Sequence, residues 1–251
     1  LGGILAKNIA DMARVDAYIV DPVAVDEFED IARISGMPQI KRRSLVHALN
    51  IKAVAYRVAR EMNKNVSDVN MVMAHLGGGI SIAPLKWGKI IDVNNANEMG
   101  PFSPERTGGL PVGDFVKLCF SGEFTLAEMK KKISGKGGLV AYLGTNDARE
   151  VEKMIAKGDR RAKLIYEAMG YQIAKEIGAM ATVLEGKVDA IVLTGGIAYS
   201  KILTEYIKEH VEFIAPVILQ PGEDEMIALN EGINRVLYGM ANAKIYEDEV
   251  K

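Results

Sequence analysis

Apolar positions in residues 159–185 recur every three or four places, at Ile165, Met169, Ile173, Ile177 and Met180, with polar residues filling the gaps. That period gathers the apolar side chains on one stripe and predicts a long amphipathic helix. The same pattern predicts a helix at the start of the chain, with Ile4, Leu5, Ile9, Met12 and Ala13 on one face. Another is expected over residues 44–63, with Ala48, Ile51, Val54, Ala55 and Val58 to one side and His47 in its first turn. Shorter helices are expected over 112–120, 126–133, 147–157 and 224–238; Thr125, three places before Glu128, has the form of a capping box for the second of these. Apolar runs too short for buried helices read as strands: a meander over 69–91 with its hairpin turn at Lys86-Trp87-Gly88-Lys89, then 190–194 and 211–219. A short strand at 17–20 ends at Asp21, where Pro22 stops regular pairing. Residues 92–113 are rich in Asn, Pro and Gly and lack a period; such a stretch inside a compact domain usually serves function.

With 251 residues, 49% of them hydrophobic and 25% charged, the chain can bury a sizeable core in one large or two modest domains. Its 31 basic and 33 acidic residues are interspersed, which argues against a nucleic-acid surface. The basic triplets Lys41-Arg42-Arg43 and Lys130-Lys131-Lys132 are expected to decorate solvated faces. No apolar run is long enough to span a bilayer and no basic-then-apolar leader opens the sequence, so neither membrane insertion nor secretion is expected. The single cysteine, Cys119, between Leu118 and Phe120, reads as a small buried thiol suited to a reducing cytoplasm. Leu1 stands where an initiator methionine would, as if entering a helix already under way, and further sequence upstream is expected.

Two strands end in glycine turns. In His75-Leu76-Gly77-Gly78-Gly79-Ile80-Ser81-Ile82 the missing Cβ atoms let main-chain N–H groups crowd around an anion, with His75 at the entrance. The strand at 190–194 ends in Gly195, Gly196 and Ile197 ahead of a helix-like segment. Either turn alone reads equally as a tight hairpin; the pair suggests a nucleoside triphosphate. Phosphoryl transfer asks for positive charge and N–H donors on the moving group and a metal held by carboxylates. Arg106, the one arginine of the 92–113 loop, can offer a planar fork to phosphoryl oxygens or simply pair with Glu105. Asp21 can orient the water shell of Mg²⁺ or serve as a turn-forming aspartate before proline. His47 and His75 can each donate an N–H to phosphoryl oxygens, whereas His210 lies on an expected exposed helix end with no role, and zinc spacing is lacking.

The 75–81 turn, Pro104-Glu105-Arg106-Thr107-Gly108, the stretch 137–149 and Thr194-Gly195-Gly196-Ile197 stand in the order of the motifs of the acetokinase family, which the chain resembles over essentially its whole length, its butyrate branch above all. The resemblance implies an α/β, actin-like (ribonuclease H-like) ATPase domain with a mixed sheet flanked by helices, the second domain largely missing. It divides the chain into a remnant of an N-terminal domain (1–21), a nucleotide-binding domain (22–225) and a helix returning toward the N-terminal domain (226–251). It implies reversible transfer of the γ-phosphoryl group of ATP to butyrate or a similar short-chain carboxylic acid, with ATP/ADP and Mg²⁺. It further implies a cytoplasmic homodimer or higher homo-oligomer without nucleic-acid or membrane partners. By the same resemblance Arg106 is the transition-state arginine and His47 contacts the transferring group. His75, Gly77, Gly78 and Gly79 form the second phosphate motif. Asp21 helps position Mg²⁺ and substrate. Glu225 is the metal-associated glutamate, with Glu223 as rival. Asp147, Ala148, Arg149, Gly195, Gly196 and Ile197 line the nucleotide pocket.

Two departures stand out. Acetate kinases carry Gly-Thr-Ser-His after the helix histidine; here Ala48, Leu49 and Asn50 follow His47, which favours the butyrate branch. The family's opening strand, its Asn-Pro-Gly-Ser-Thr-Ser loop and its carboxylate-holding arginine are not in the sequence, so on the order of a hundred residues are expected ahead of Leu1 and little turnover from this chain alone. The alternatives are a propionate or branched-chain carboxylate kinase and a noncatalytic actin-like nucleotide-binding module.

Overall fold

The computed structural model describes residues 2–245. Its centre is a five-stranded sheet of β1 (Asn70–Leu76), β2 (Ile80–Lys86), β3 (Lys89–Ile90), β4 (Ala190–Gly195) and β5 (Val217–Pro221), in the order β3-β2-β1-β4-β5. β1 pairs antiparallel with β2 and parallel with β4, which pairs parallel with β5, so the sheet is mixed as expected. Trp87 and Gly88 join β2 to β3 with φ of 55° and 77°, the left-handed pair that a two-residue hairpin needs to follow strand twist.

Helices cover both faces. The helices of the described residues are α1 (Gly2–Ala13), α2 (Ala48–Glu61), α3 (Val112–Cys119), α4 (Leu126–Ile133), α5 (Gly138–Leu143), α6 (Ala148–Ala156), α7 (Arg160–Val183), α8 (Lys201–Val211) and α9 (Glu225–Leu237), of which α2 packs on one face and α7 with α8 on the other. Strand alternation decides which residue meets which helix. Val72, Ala74 and Leu76 of β1 join Tyr166, Met169, Ile173 and Ile177 of α7 and Leu203 and Ile207 of α8 in one core. Met71 and Met73 join Ile51, Val54 and Val58 of α2 in the other. Burial on both sides explains why β1 and β4 read as unbroken apolar runs. The Thr125 side chain accepts from Glu128 N–H and the Glu128 carboxylate accepts from Thr125 N–H, the capping box that starts α4.

Several expectations need correction. Residues 17–20 form no strand, since no described strand lies alongside to share a ladder. Asp21 therefore ends no strand; it sits in a bend at φ 39°, a left-handed conformation that aspartate tolerates. The segment 211–219 splits, Val211 closing α8 and β5 starting at Val217. α2 begins at Ala48, which makes His47 its N-cap rather than a first-turn residue. Arg42 is not a surface decoration: its guanidinium donates to both Asp92 carboxylate oxygens (3.1 and 2.7 Å) and to the Ala32 and Val93 carbonyls. Cys119 is half-exposed rather than buried. On α1 the apolar residues Ile4, Leu5, Ile9 and Met12 face outward and Ala10 alone is buried. Leu1 and the end of the expected last segment, residues 246–251, lie outside the described residues.

Candidate active site

Because β1, β4 and β5 run parallel, their C-terminal ends share one edge of the sheet, the place where open α/β sheets bind ligands. There β1 gives way to Gly77, β4 to Gly196, and β5 to Gly222 and Glu223. Register adds a cross-strand row: Ser81 lies opposite His75, and His75 opposite Thr194. All three share strand parity with Met73, Ala83 and Val192, which face α2. The row thus points at the start of α2, where His47 and Asn50 are one helical turn apart.

The contacts there are close. His47 Nδ1 lies 2.8 Å from Ser81 Oγ, and its ring stacks on that of His75 with centroids 4.1 Å apart. His75 Nδ1 meets Asn50 Oδ1 at 2.9 Å, and Thr194 Oγ1 donates to the same oxygen at 3.1 Å. The Asn50 amide nitrogen donates to the carbonyls of Gly222 (3.3 Å) and Glu223 (3.1 Å). Burial, reinforced by the positive Arg106, holds His47 down to about 4; burial, with His47 alongside, holds His75 down to about 3. Both rings are neutral at pH 7.

Arg106 reaches this edge from the 92–113 loop. Its guanidinium lies over Gly79, where an added Cβ would sit 2.0 Å from the nearer terminal nitrogen, and that nitrogen donates to Ala96 O at 3.0 Å. It does not pair with Glu105, which accepts instead from the Asn146 amide. The loop, expected to be structureless, is packed and pinned. Asn94 takes the place of a strand beside β2, accepting from Ile82 N–H and donating to Ile80 O. Ser103 Oγ donates to Gly78 O, and Thr107 N–H donates to Ile133 O. Gly77 is hemmed by His75 Nε2 and Glu223 Oε1, while an added Cβ at Gly78 would meet open space. Gly195, at φ 87°, has room for no Cβ because Leu76 O would lie 2.5 Å from it.

The remaining candidates are placed as follows. Asp147 caps α6, accepting from Arg149 N–H at 2.9 Å; the Arg149 guanidinium first, then that N–H, holds its carboxyl down to about 2. Ala148 opens the helix behind them. The turn Gly196–Tyr199, which contains Ile197, leads to Ser200. Tyr166 Oη donates to Ser200 Oγ at 3.0 Å, and Ser200 Oγ donates to Glu152 of α6, so α6, α7 and this turn are tied together. Asp21 lies 3.8 Å from Lys52 Nζ, and burial, outweighing Lys52 and Arg235, raises its pKa. Its charged neighbours are Lys52 of α2, Arg235 of α9 and Glu27, not His47, His75 or Arg106. Of the two glutamates, Glu223 reaches His75, Oε1 lying 3.7 Å from Nε2, whereas Glu225 opens α9 two places on. Among the described residues no group of three or more His, Cys, Asp or Glu could hold a metal by itself. A half-exposed carboxylate at the rim of a glycine cradle suits Mg²⁺, which keeps waters and takes further ligands from substrate phosphates.

Reading the sequence alone missed Asn50, Ser81, Asn94 and Ser103. Strand parity from Met73 and Val192, together with the 47/50 spacing on α2, holds the signal for the first two.

The acetokinase family profile matches residues 38–220. The chain is 61% identical over 246 residues to a probable butyrate kinase 2 of Caldanaerobacter subterraneus subsp. tengcongensis, covering 98% of this chain and 70% of that protein. It is 58% identical over 248 residues to butyrate kinase 2 of Clostridium acetobutylicum, with the same coverage of each. The fold matches Porphyromonas gingivalis acetate kinase with a TM-score of 0.75 at 23% identity, over 83% of this chain and 61% of that one. It matches a Francisella tularensis propionate kinase with a TM-score of 0.72 at 22% identity and the same coverage. The chain thus spans less than two thirds of these two structures, and its mixed sheet with flanking helices is theirs, the actin-like ATPase fold. With a family profile over most of its length and such identity to two members, this chain belongs to the acetokinase family.

Proposed function

We propose that this chain is the greater part of a butyrate kinase, transferring the γ-phosphoryl group of ATP reversibly to butyrate to give butyryl phosphate and ADP. The observation that carries the reading is the approach of the Arg106 guanidinium to Gly79 beside the stacked histidines, at the edge where three parallel strands end. The names of the two curated relatives support the choice of acid. A carboxylate is already ionised at neutral pH, so its oxygen can attack the γ-phosphorus without a general base while ADP leaves with the electron pair of the broken P–O bond. Two neutral histidines suit such chemistry, in which the protein positions groups and stabilises charge.

In this reading the backbone of residues 77–79 and 195–196 cradles the phosphate chain, and Arg106 and His47 meet the moving phosphoryl group. Asp147, Ala148, Arg149 and Ile197 wall the nucleoside. Mg²⁺, held by Glu223 with Asp21 or Glu225 as further candidates, would neutralise phosphate charge. Residues 22–225 act as the nucleotide-binding domain, residues 1–21 are a remnant of an N-terminal domain, and the segment after 225 returns toward that domain. The enzyme works in the cytoplasm as a homo-oligomer; the exposed Val112 and Val116 of α3, with Phe120 just past its end, offer apolar surface a second copy would cover. No helix among the described residues is long and apolar enough to cross a membrane.

The test is acyl phosphate formation by the full-length protein from Mg-ATP and acids of increasing length. The reading expects kcat/KM to peak at butyrate, and one extra or missing methylene to cost about 10-fold or more. A peak at propionate or at a branched acid would move the assignment within the family, and absence of acyl phosphate with every acid would reject it.

A further inference from the structure

The two stacked rings have different partners, and the partners dictate which nitrogen carries the proton. Asn50 is buried with its amide oriented by its neighbours: the NH₂ group faces the carbonyls of Gly222 and Glu223, where the amide oxygen would meet only other acceptors. Its oxygen therefore faces His75 Nδ1 and the Thr194 hydroxyl. An amide oxygen only accepts, so His75 Nδ1 must carry the hydrogen, and the neutral ring leaves Nε2 bare. That bare nitrogen points at Glu223 Oε1, 3.7 Å away, another acceptor.

His47 is arranged the other way. Ser81 is fully buried, and its oxygen already accepts from the His47 backbone N–H at 3.4 Å. The hydroxyl hydrogen has His47 Nδ1, at 2.8 Å, as its acceptor. A buried hydroxyl left without an acceptor costs on the order of 1–3 kcal/mol, so Ser81 donates to Nδ1 and the ring hydrogen of His47 sits on Nε2.

We propose that Asn50 and Ser81 are positioning residues that hold the two stacked histidines in opposite tautomers, His47 as a hydrogen-bond donor and His75 as an acceptor. The assignment deepens the kinase reading and rests on it for its meaning. His47 suits a phosphoryl oxygen, whereas His75, with a carboxylate for its neighbour, presents an acceptor that suits a donor such as water. In these tautomers His47 alone can donate an N–H to phosphate from Nε2.

The test is ¹⁵N NMR of the histidine rings in the ligand-free chain, which holds three histidines. Signals are assigned with His47→Gln and His75→Gln. The expected result is an Nε2–H pattern for His47 and an Nδ1–H pattern for His75. Both rings in one tautomer, or His75 protonated on Nε2, would overturn the proposal. Asn50→Asp keeps the acceptor and should keep the His75 pattern; Asn50→Leu removes it and should turn the pattern into a mixture or the Nε2–H form. An unchanged pattern in a folded Asn50→Leu chain counts against Asn50. Mg-ATP added to the full-length protein, with the same two signals assigned, separates the two ideas: assigned tautomers with signals that ATP does not move leave the proposal standing and defeat the kinase reading.

Discussion

Three consecutive glycines at the end of β1 are not equivalent, and the difference is testable residue by residue. Gly79 lies under the Arg106 guanidinium, with 2.0 Å between an added Cβ and the nearer nitrogen, whereas Gly78 faces open space. Gly79→Ala should displace Arg106 and lower kcat while ATP affinity changes little; Gly78→Ala should leave the fold and Arg106 in place. Steady-state kinetics beside nucleotide titration checks both. Gly195 combines φ 87° with a backbone oxygen in the space of a Cβ, so Gly195→Ala should destabilise the chain by about 1–3 kcal/mol in urea unfolding. The histidines add a pH signature. Their folded pKa values, about 4 and about 3, lie below the ordinary 6.5, so the unfolded chain binds more protons between those limits. Their contribution is complete above pH 6.5 and is lost as pH falls toward 4 and 3. Replacing His47 with glutamine, which does not titrate, should flatten the fall in urea stability over that window. An equally steep fall would mean that other groups cause it.

At the scale of elements, much was legible because single periods dominate. Helices at 112–119, 126–133, 148–156, 160–183 and 225–237 lie within two residues of their expected bounds, since their caps and apolar stripes are local. The hairpin at Trp87-Gly88 was equally plain. Failures came where a partner decides. Residues 17–20 have the composition of a strand but no described strand beside them, and Val211 packs in α8 although it opens an apolar run. α5, six residues long, was too short to show a period. The 92–113 loop looked unstructured because its order comes from side chains reaching elsewhere, Asn94 to β2 and Asp92 to Arg42. Arg42 is the more deeply committed for it: Asp92→Ala should leave its guanidinium unpaired in a half-buried place and cost on the order of 3 kcal/mol. Glu185→Ala, breaking an exposed pair with Lys187, should not measurably move the urea midpoint.

For the molecule as a whole, the site depends on register more than on any motif. Parallel pairing of β1, β4 and β5 brings residues separated by more than a hundred positions to one edge, and strand parity then turns Ser81, His75 and Thr194 toward α2. A linear sequence shows the glycine turns but not their adjacency, which is why Asn50, joining α2, β1, β4 and the turn after β5, escaped notice. In the proposed reaction Arg106 acts on charge that develops during transfer rather than on bound nucleotide. The direct test is Arg106→Ala in the full-length protein, with kcat for acyl phosphate formation and ATP dissociation constant measured side by side. The expected result is a fall in kcat of about 10³-fold or more while ATP affinity stays within a few-fold. Equal losses in both, or full turnover from the variant, would contradict it.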